Sequence, residues 1–293
     1  MTEQRKQCVF LSMESLDEYC CDDDKLYPAF DAAGIDVHTL NWRNERIDWN
    51  DYDWVIVRSS WDYQLDSERF FDVLERIDRS RAQLANPLQT MRWNANKRYL
   101  AELEQAGIPI VPTTWGTGIT AKELSAHIDI NDQHGLVIKP LVSAGAYNTF
   151  RLDRSSTDAQ LDTAFKAHVG SDWMLQAFVP SILTHGEYSL FYFNGDYSHA
   201  INKRPVGEDF RVQEEFGGQI SAIQPDEEMS LAGARALQQC SQDLLYARVD
   251  LVLHEDRYKL MELELIEPSL YFGSDPDSPE RFLGACQRWF ANN

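Results

Sequence analysis

The chain has 293 residues, which exceeds one typical hydrophobic core and predicts two or three subdomains. Hydrophobic residues make up 43% of it, which is typical of a globular rather than a disordered chain. The 47 acidic and 27 basic side chains give a formal net charge of −20, so we expect neither nucleic acid nor an anionic membrane as a partner.

The N-terminal segment and the cysteines bear on the cellular compartment. MTEQRKQ is polar with no apolar h-region behind it, and no apolar run approaches the ~20 residues of a membrane span. The chain has five cysteines, an odd number, and the adjacent Cys20 and Cys21 cannot form an ordinary disulfide bridge with each other. We therefore expect a cytoplasmic protein with reduced thiols. The oligomeric state stays open, with a homodimer as one option.

The first 88 residues alternate predicted strands with predicted helices. Apolar runs and helical spacing predict strands at 8–11, 36–40 and 54–60 and helices at 24–33 and 66–79. This alternation is typical of a parallel α/β unit.

A small β-rich unit is expected next, over residues 89–179. A helix is predicted to begin at about Asn94 and to stop at Gly107, and Thr120 with Glu123 forms a capping box that opens another helix. The remaining predicted elements are strands at 135–140, 148–152 and 173–179 and a helix near 157–168.

The C-terminal part, residues 180–293, is predicted to form a further sheet with helices. Its predicted elements are strands at 187–194, 197–203, 216–224, 246–254 and 258–266 and helices at 227–243 and 279–291.

Three carboxylates lie on one face of the predicted hairpin at 246–266. Side chains alternate along a strand, so Glu262 and Glu264 share a face, and the hairpin brings Asp250 close to them. Adjacent carboxylates repel unless a cation lies between them, and oxygen ligands suit Mg²⁺ or Mn²⁺ better than zinc. A solvated acidic face with Lys or Arg partners explains the pattern equally well, and the hairpin alone does not decide.

Two lysines and a loop of small residues are candidates for phosphate contacts. Lys139 ends an apolar strand, and Ser143-Ala144-Gly145-Ala146 follows it. Small residues let backbone N–H groups approach an anion, and an adjacent lysine supplies a point charge. Lys97 lies in a predicted first helical turn where one subdomain passes to the next. A hairpin turn with surface lysines is the alternative interpretation.

The strand that leaves the central unit carries Gln176, Phe178 and Val179. Such an edge can offer backbone groups to a purine and an apolar wall to its ring. Core packing is the alternative, and for Phe178 in isolation it is the favoured one.

The order of these features resembles the ATP-grasp superfamily, in the group with a glutathione-synthetase-like ATP-binding domain. The segments RSSWDY, NPLQTMRWNANKRYL, VIKPLVSAGAYNT, GEYSLFYFNG and ELELIEPSLYF are most similar to D-cycloserine ligase-like members. The resemblance covers nearly the whole chain. It implies an α/β fold with an α+β lid: an N-terminal parallel α/β subdomain (1–88), a central lid subdomain (89–179) and a C-terminal mixed-sheet subdomain (180–293).

The resemblance also implies roles for individual residues, with ATP as cosubstrate and two ions, Mg²⁺ or Mn²⁺, as cofactors. The residues implied to contact the phosphates are Lys97, Lys139, Ser143, Ala144, Gly145 and Ala146. Those implied for adenine are Gln176, Phe178 and Val179, and Glu187 is implied for the ribose. The implied metal ligands are Asp250, Glu262 and Glu264. Many relatives have Asn where Glu264 stands and more than one glycine in the loop.

The predicted substrate pocket lies beyond the apolar run DWVIV, because ligands of open α/β sheets bind past the carboxyl ends of strands. The residues expected to contact substrate there are Arg58, Ser59, Ser60 and Asp62. Trp61 and Tyr63 are candidates for its walls, with packing beneath a loop as the alternative.

Three arginines are candidates for carboxylate or phosphate contacts, because a guanidinium holds both in a bidentate fork. Arg211 and Arg248 are expected to be catalytic, and Arg204 to contact substrate. Glu267 and Ser269 follow the metal strand and are expected to hold a substrate amine. Ion pairing to acidic residues is the alternative for each arginine.

These expectations combine into one reaction class, an ATP-dependent carboxylate–amine ligase. It would act on a small amino-acid-like substrate through an acylphosphate and release ADP and phosphate. A kinase on the same fold and a non-catalytic nucleotide-binding regulatory module are the alternatives. The sequence does not identify the substrates, and it does not separate ring closure from ligation of two molecules.

Overall fold

The computed structural model describes residues 5–130, 134–207, 209–240 and 243–292. Three β-sheets and the helices packed on them account for this part of the chain. The sheets fall within 1–88, 89–179 and 180–293, and the exact boundaries of these units stay a prediction. None of the helices in the described ranges has the length and apolar character needed to cross a membrane.

The N-terminal sheet is parallel, as predicted. Its strands are β1 (Lys6–Ser12), β2 (Ile35–Asn41), β3 (Trp54–Ser59) and β4 (Gln83–Ala85), in the order β2-β1-β3-β4. Helices α1 (Tyr27–Ala32) and α2 (Ser67–Asp78) belong to this unit, and α2 buries Phe70, Leu74 and Ile77 along its predicted apolar face. The short strand β4 was not predicted from the sequence.

The connecting segment holds two helices, α3 (Leu88–Asn94) and α4 (Tyr99–Gln105), where the sequence predicts one. The series of helical backbone hydrogen bonds is interrupted between them, because the backbone N–H of Lys97 donates to the carbonyl of Leu141, 2.9 Å away. Lys97 therefore lies just before α4 and not within the first turn of a helix.

The central sheet is antiparallel and carries two helices. Its strands are β5 (Thr113–Thr117), β6 (Leu136–Pro140), β7 (Phe150–Leu152) and β8 (Asp172–Ala177), in the order β5-β8-β6-β7. Helices α5 (Ala121–Ile130) and α6 (Asp158–His168) belong to the same unit. The capping box is confirmed, because Thr120 N–H donates to Glu123 and Glu123 N–H donates back to the Thr120 hydroxyl.

The C-terminal sheet has five strands, and each pair of neighbours runs antiparallel. They are β9 (Glu187–Phe193), β10 (Asp196–Arg204), β11 (Gln219–Ile223), β12 (Tyr246–His254) and β13 (Arg257–Glu264), in the order β11-β10-β9-β12-β13. The expected mixed sheet is antiparallel between its strands, and in the described ranges its parallel contact is an isolated bridge between Ile110 and Leu260.

Two helices pack on the C-terminal sheet, α7 (Glu227–Gln238) and α8 (Ser278–Asn292). The predicted extension of α7 to residue 243 passes through residues 241–242, which lie outside the described part of the chain.

Side chains from the connecting segment hold the end of β13. Tyr99 and Asn94 both donate to the carbonyl of Leu263, at 3.0 and 2.8 Å. The N–H of Leu263 donates to the Tyr99 hydroxyl, and the N–H of Leu265 donates to the Asn94 amide oxygen. Asn86 donates to the carbonyl of Leu265 at 2.9 Å. These side chains satisfy backbone groups that have no neighbouring strand.

Replacing Asn94 with alanine should destabilise the fold by about 2–4 kcal/mol, because buried backbone groups of Leu263 and Leu265 lose a partner. Urea denaturation measures this, with Gln105→Ala on the exposed side of α4 as the control. A loss of less than about 0.5 kcal/mol, the range of an ordinary surface substitution, would show that Asn94 does not hold the strand.

Candidate active site

A cavity of about 680 Å³ is lined by residues from all three units. The central sheet contributes the end of β6 and the loop after it, and the C-terminal sheet contributes residues of β9, β10, β12 and β13. The loop after β3 and a segment at 18–20 contribute from the N-terminal side. The cavity brings together residues that are far apart in sequence, so we take it as the candidate active site.

Alternation along β13 places the two glutamates at this cavity. Leu263 and Leu265 are fully buried in the core, while Glu262 and Glu264 line the cavity. The predicted hairpin is confirmed, with Asp250 opposite Glu262 and Arg248 opposite Glu264 in the β12–β13 register.

Each carboxylate of the predicted triplet has a cationic partner. Lys97 bonds Glu262, and Arg248 bonds Glu264. Asp250 lies 2.9 Å from Arg248 and 3.5 Å from Lys203. The Lys and Arg partners of the alternative interpretation are therefore present, but the face is not solvated, because Asp250 is buried and Glu262 and Glu264 are half-buried.

The ion pairs set the ionisation of the carboxylates. Burial opposes ionisation of Asp250, but Arg248 and Lys203 outweigh it and lower its pKa to about 2. Burial also opposes ionisation of Glu262, but Lys97 and Lys139 outweigh it and lower the pKa of that carboxyl. For Glu264 burial prevails over Arg248, and the repulsion of Asp250 and Glu262 adds to it, so the pKa rises to about 7.

The carboxylates fit a metal ion that arrives with a phosphate ligand, and they do not form a complete site alone. In the described ranges, no three His, Cys, Asp or Glu side chains are grouped so as to hold a metal ion. Glu262 and Glu264 face the cavity, whereas Asp250 is 3% exposed and does not line it. Mg²⁺ in proteins commonly takes one or two carboxylates together with substrate phosphates.

The predicted nucleotide residues all line the cavity: Lys97, Lys139, Ser143, Ala144, Gly145, Ala146, Gln176, Phe178, Val179 and Glu187. Lys139 is 8% exposed and makes no ion pair with the described residues. Burial and the nearby Lys97 lower its pKa, although Glu262 opposes them. The amide nitrogen of the buried Gln176 has no hydrogen-bond partner in the described part of the protein. The Lys139 ammonium and the Gln176 amide nitrogen therefore both lie at the cavity wall, where each can bind a ligand.

The predicted substrate contacts by Arg58, Ser59 and Ser60 need correction, because none of these residues lines the cavity. Arg58 is 1% exposed, lies 2.8 Å from Asp23 and donates to the carbonyl of Pro268. The hydroxyls of Ser59 and Ser60 bond to β1. The C-terminal unit covers this end of β3, so these polar groups serve the interface between units.

Asp62 and Arg204 also lie off the cavity wall. Asp62 accepts hydrogen bonds from Trp42 and Arg43 at 2.6 and 3.0 Å. Arg204 is exposed, and its Nε donates to Asn202. Six other predicted residues do line the cavity: Trp61, Tyr63, Arg211, Arg248, Glu267 and Ser269.

Lys203 is a cavity residue that the sequence reasoning missed. It is buried, its ammonium lies 2.5 Å from Glu187, and the two residues are directly paired in the β9–β10 register. Strand pairing was therefore the signal that could have found it. Residues Glu18, Tyr19 and Cys20 also line the cavity, and they lie in a loop without a sequence pattern.

Two antiparallel sheets around one cavity, together with a parallel N-terminal sheet, match the fold of ATP-grasp ligases. The chain belongs to the prokaryotic glutathione synthetase ATP-grasp family, whose domain matches residues 108–269. Residues 8–86 match the N-terminal domain of D-cycloserine synthetase DcsG. The protein is an ATP-dependent ligase that joins a carboxylate to an amine, as predicted.

Individual relatives agree with this assignment. The cycloserine biosynthesis protein DcsG of Streptomyces lavendulae is 30% identical over 279 residues, 89% of this chain and 91% of that protein. The crystal structure of D-cycloserine synthetase DcsG has a TM-score of 0.84 at 27% identity, covering 97% of this chain and 99% of that one. D-alanine–D-alanine ligase from Bacillus anthracis, complexed with ATP, shares the fold with a TM-score of 0.63 at 15% identity, covering 96% and 93%.

Replacing Lys139 with methionine should weaken Mg-AMPPNP binding about 10- to 100-fold, because a hydrogen bond to a charged group contributes about 1.5–3 kcal/mol. Stability should hold or rise, because the change removes a buried charge without a carboxylate partner. Calorimetric titration and thermal denaturation measure the two effects, with Lys166→Met on exposed α6 as the control. An unchanged affinity of Lys139→Met for Mg-AMPPNP would show that the phosphates do not contact Lys139.

Replacing Arg58 with methionine should give the opposite pattern. The fold should lose about 3–5 kcal/mol, because Asp23 stays buried without its partner. Nucleotide affinity, measured on the folded fraction, should stay within about twofold. A large loss of nucleotide affinity in a stable Arg58→Met variant would show that Arg58 belongs to the binding site after all.

Proposed function

We propose that this ligase activates the carboxylate of a small amino-acid-like substrate as an acylphosphate and joins it to an amine. The observation that carries the proposal is the charge arrangement of the cavity. A buried, unpaired Lys139 faces the same space as two glutamates whose cationic partners, Lys97 and Arg248, can exchange a carboxylate for a phosphate. Such an arrangement suits a polyanion that brings its own cations.

The nucleotide lies between the lid and the C-terminal sheet in this proposal. Lys97, Lys139 and the loop 143–146 contact the phosphates, and Glu187 contacts the ribose. The unpartnered Gln176 amide, beside the apolar Phe178 and Val179, supports an adenine subsite at the end of β8. An amide is the kind of group that a purine edge satisfies by hydrogen bonding.

The metal-binding residues in this proposal are Glu262 and Glu264 on the cavity wall, with Asp250 as a third ligand beneath them. Asp250 would have to leave Arg248 and Lys203 to reach an ion, which makes it the weakest member of the set. Mg²⁺ or Mn²⁺, two ions in our proposal, would neutralise phosphate charge when bound. Lys97 and Arg248 would then turn from the glutamates toward the phosphates.

The reaction needs two steps, because a carboxylate oxygen is a poor leaving group. A substrate carboxylate oxygen attacks the γ-phosphorus, the bond to the bridging oxygen breaks, and ADP leaves. The amine nitrogen then attacks the acyl carbon, the C–O bond to phosphate breaks, and the nitrogen's proton leaves with the phosphate. In this proposal Arg248, Arg211 and Lys203, which line the cavity, stabilise the negative charge by their position and their own charge.

The substrate end of the cavity has carboxylate and aromatic walls. Burial and the neighbouring Glu264 raise the pKa of Glu267 well above its usual range. A substrate ammonium would supply the counter-charge that an ionised Glu267 lacks, with Ser269 beside it. Trp61 and Tyr63 form the apolar side. The relative named for cycloserine biosynthesis supports a small amino-acid-like substrate, which either closes on its own amine or joins a second molecule.

Hydroxylamine tests carboxylate activation without knowledge of the natural amine. With Mg-ATP and a panel of D- and L-amino acids, we expect at least one to give a hydroxamate with equal release of ADP and phosphate. Hydroxylamine intercepts the acylphosphate and thereby reports on the first step alone. A stable phosphorylated product without phosphate release would favour a kinase. Tight Mg-ATP binding without turnover would favour a regulatory module.

Replacing Glu262 with glutamine should reduce hydroxamate formation at least about 100-fold and raise the Mg²⁺ concentration needed for half-maximal rate. The fold should persist, because glutamine keeps the side-chain shape and an acceptor for Lys97. Glu104→Gln on the exposed side of α4 is the matched control. Full activity at ordinary Mg²⁺ concentrations in Glu262→Gln would contradict the metal assignment.

A further inference from the structure

Tyr271 has a backbone conformation that bulky residues rarely adopt. Its φ and ψ are both 47°, which is the left-handed helical region. For an L-residue with a large side chain this region is strained, and glycine or asparagine occupies it at lower cost. A tyrosine here indicates that the side chain itself is needed, because strained conformations cluster at functional sites.

The residues on either side keep the backbone of Tyr271 in place. Leu270 and Phe272 are both fully buried in the core between the N-terminal and C-terminal units. His199 on β10 bonds the carbonyl of Leu270 at 2.9 Å and stacks on Phe191, with 4.3 Å between the ring centroids. The flanking backbone is therefore anchored on both sides, and Tyr271 lines the cavity between the anchors.

The phenol of Tyr271 lies among the charged residues of the reaction site. Lys203 and Arg248 both interact electrostatically with it, and both line the same cavity. Burial raises the pKa of Tyr271 to about 12, although these two cations oppose the shift. The hydroxyl therefore keeps its proton at neutral pH and is available as a hydrogen-bond donor.

We propose that Tyr271 is a specificity-determining residue that donates a hydrogen bond to the substrate carboxyl group beside Arg248. The inference rests on the proposed ligase function and adds to it a recognition residue at the acceptor side. The Tyr271 ring lines the acceptor side of the cavity. Its hydroxyl fixes the orientation of the carboxyl oxygen that attacks the γ-phosphorus. A hydrogen bond to this oxygen fixes where the carboxyl group lies in the cavity, so it favours substrates whose carboxyl group reaches that position.

Two substitutions separate the hydroxyl from the ring. Tyr271→Phe removes the hydroxyl alone, and Tyr271→Asn removes the ring while suiting the left-handed backbone. Tyr197→Phe, a tyrosine that is 40% exposed and lies off the cavity wall, is the control. The assay is hydroxamate formation from Mg-ATP, hydroxylamine and the amino acid that gives wild-type protein its highest rate.

Tyr271→Phe should raise the KM for the amino acid about tenfold and leave the KM for ATP within about twofold. Tyr271→Asn should lower kcat/KM for the amino acid at least about 100-fold while its melting temperature equals or exceeds that of wild type. Tyr197→Phe should match wild type in both constants.

Contrary outcomes separate this inference from the proposed function. If wild-type protein forms hydroxamate and Tyr271→Phe has an unchanged KM for the amino acid, the tyrosine is structural and only this inference fails. A Tyr271→Asn variant that loses stability but keeps its kcat/KM leads to the same conclusion. If wild-type protein forms no hydroxamate from any amino acid, the proposed function fails and the role of Tyr271 fails with it.

Discussion

The site depends on hydrogen bonds that fix the register of β13. Asn94 and Tyr99 bond the backbone of Leu263, and Asn86 and Asn94 bond that of Leu265, so the end of this strand is fixed without a further strand beside it. A slip of one residue would turn the two leucines outward and bury the glutamates in the core. Three polar side chains, Asn86, Asn94 and Tyr99, thus decide which face of the strand meets the cavity.

The carboxylates of Asp250, Glu262 and Glu264 persist in the site because each one has a cation within reach. Carboxylates taken out of water are costly unless paired, and Lys97, Lys203 and Arg248 supply the pairing. These ion pairs hold the side chains of the site in place. In our proposal, binding of a metal-nucleotide complex exchanges these partners, carboxylate to metal and cation to phosphate.

Periodicity and motif order predicted much of this protein, and tertiary contacts explain the rest. Alternation along β13 predicted the cavity-facing glutamates, and the lysine and small-residue motifs predicted further residues of the cavity wall. Arg58 was misplaced because the sequence does not show that residues 268–272 cover the end of β3. Lys203 was overlooked because its partner Glu187 lies on the neighbouring strand. The break before α4 follows from one backbone hydrogen bond to Leu141, which helical periodicity does not reveal.

A crystal structure with Mg-AMPPNP tests the exchange of partners most directly. The account predicts metal density in contact with Glu262 and Glu264, with Lys97 and Arg248 moved from these carboxylates to phosphate oxygens. Lys139 should contact a phosphate as well. Metal density away from both glutamates, with the Lys97–Glu262 and Arg248–Glu264 pairs intact beside bound nucleotide, would contradict it.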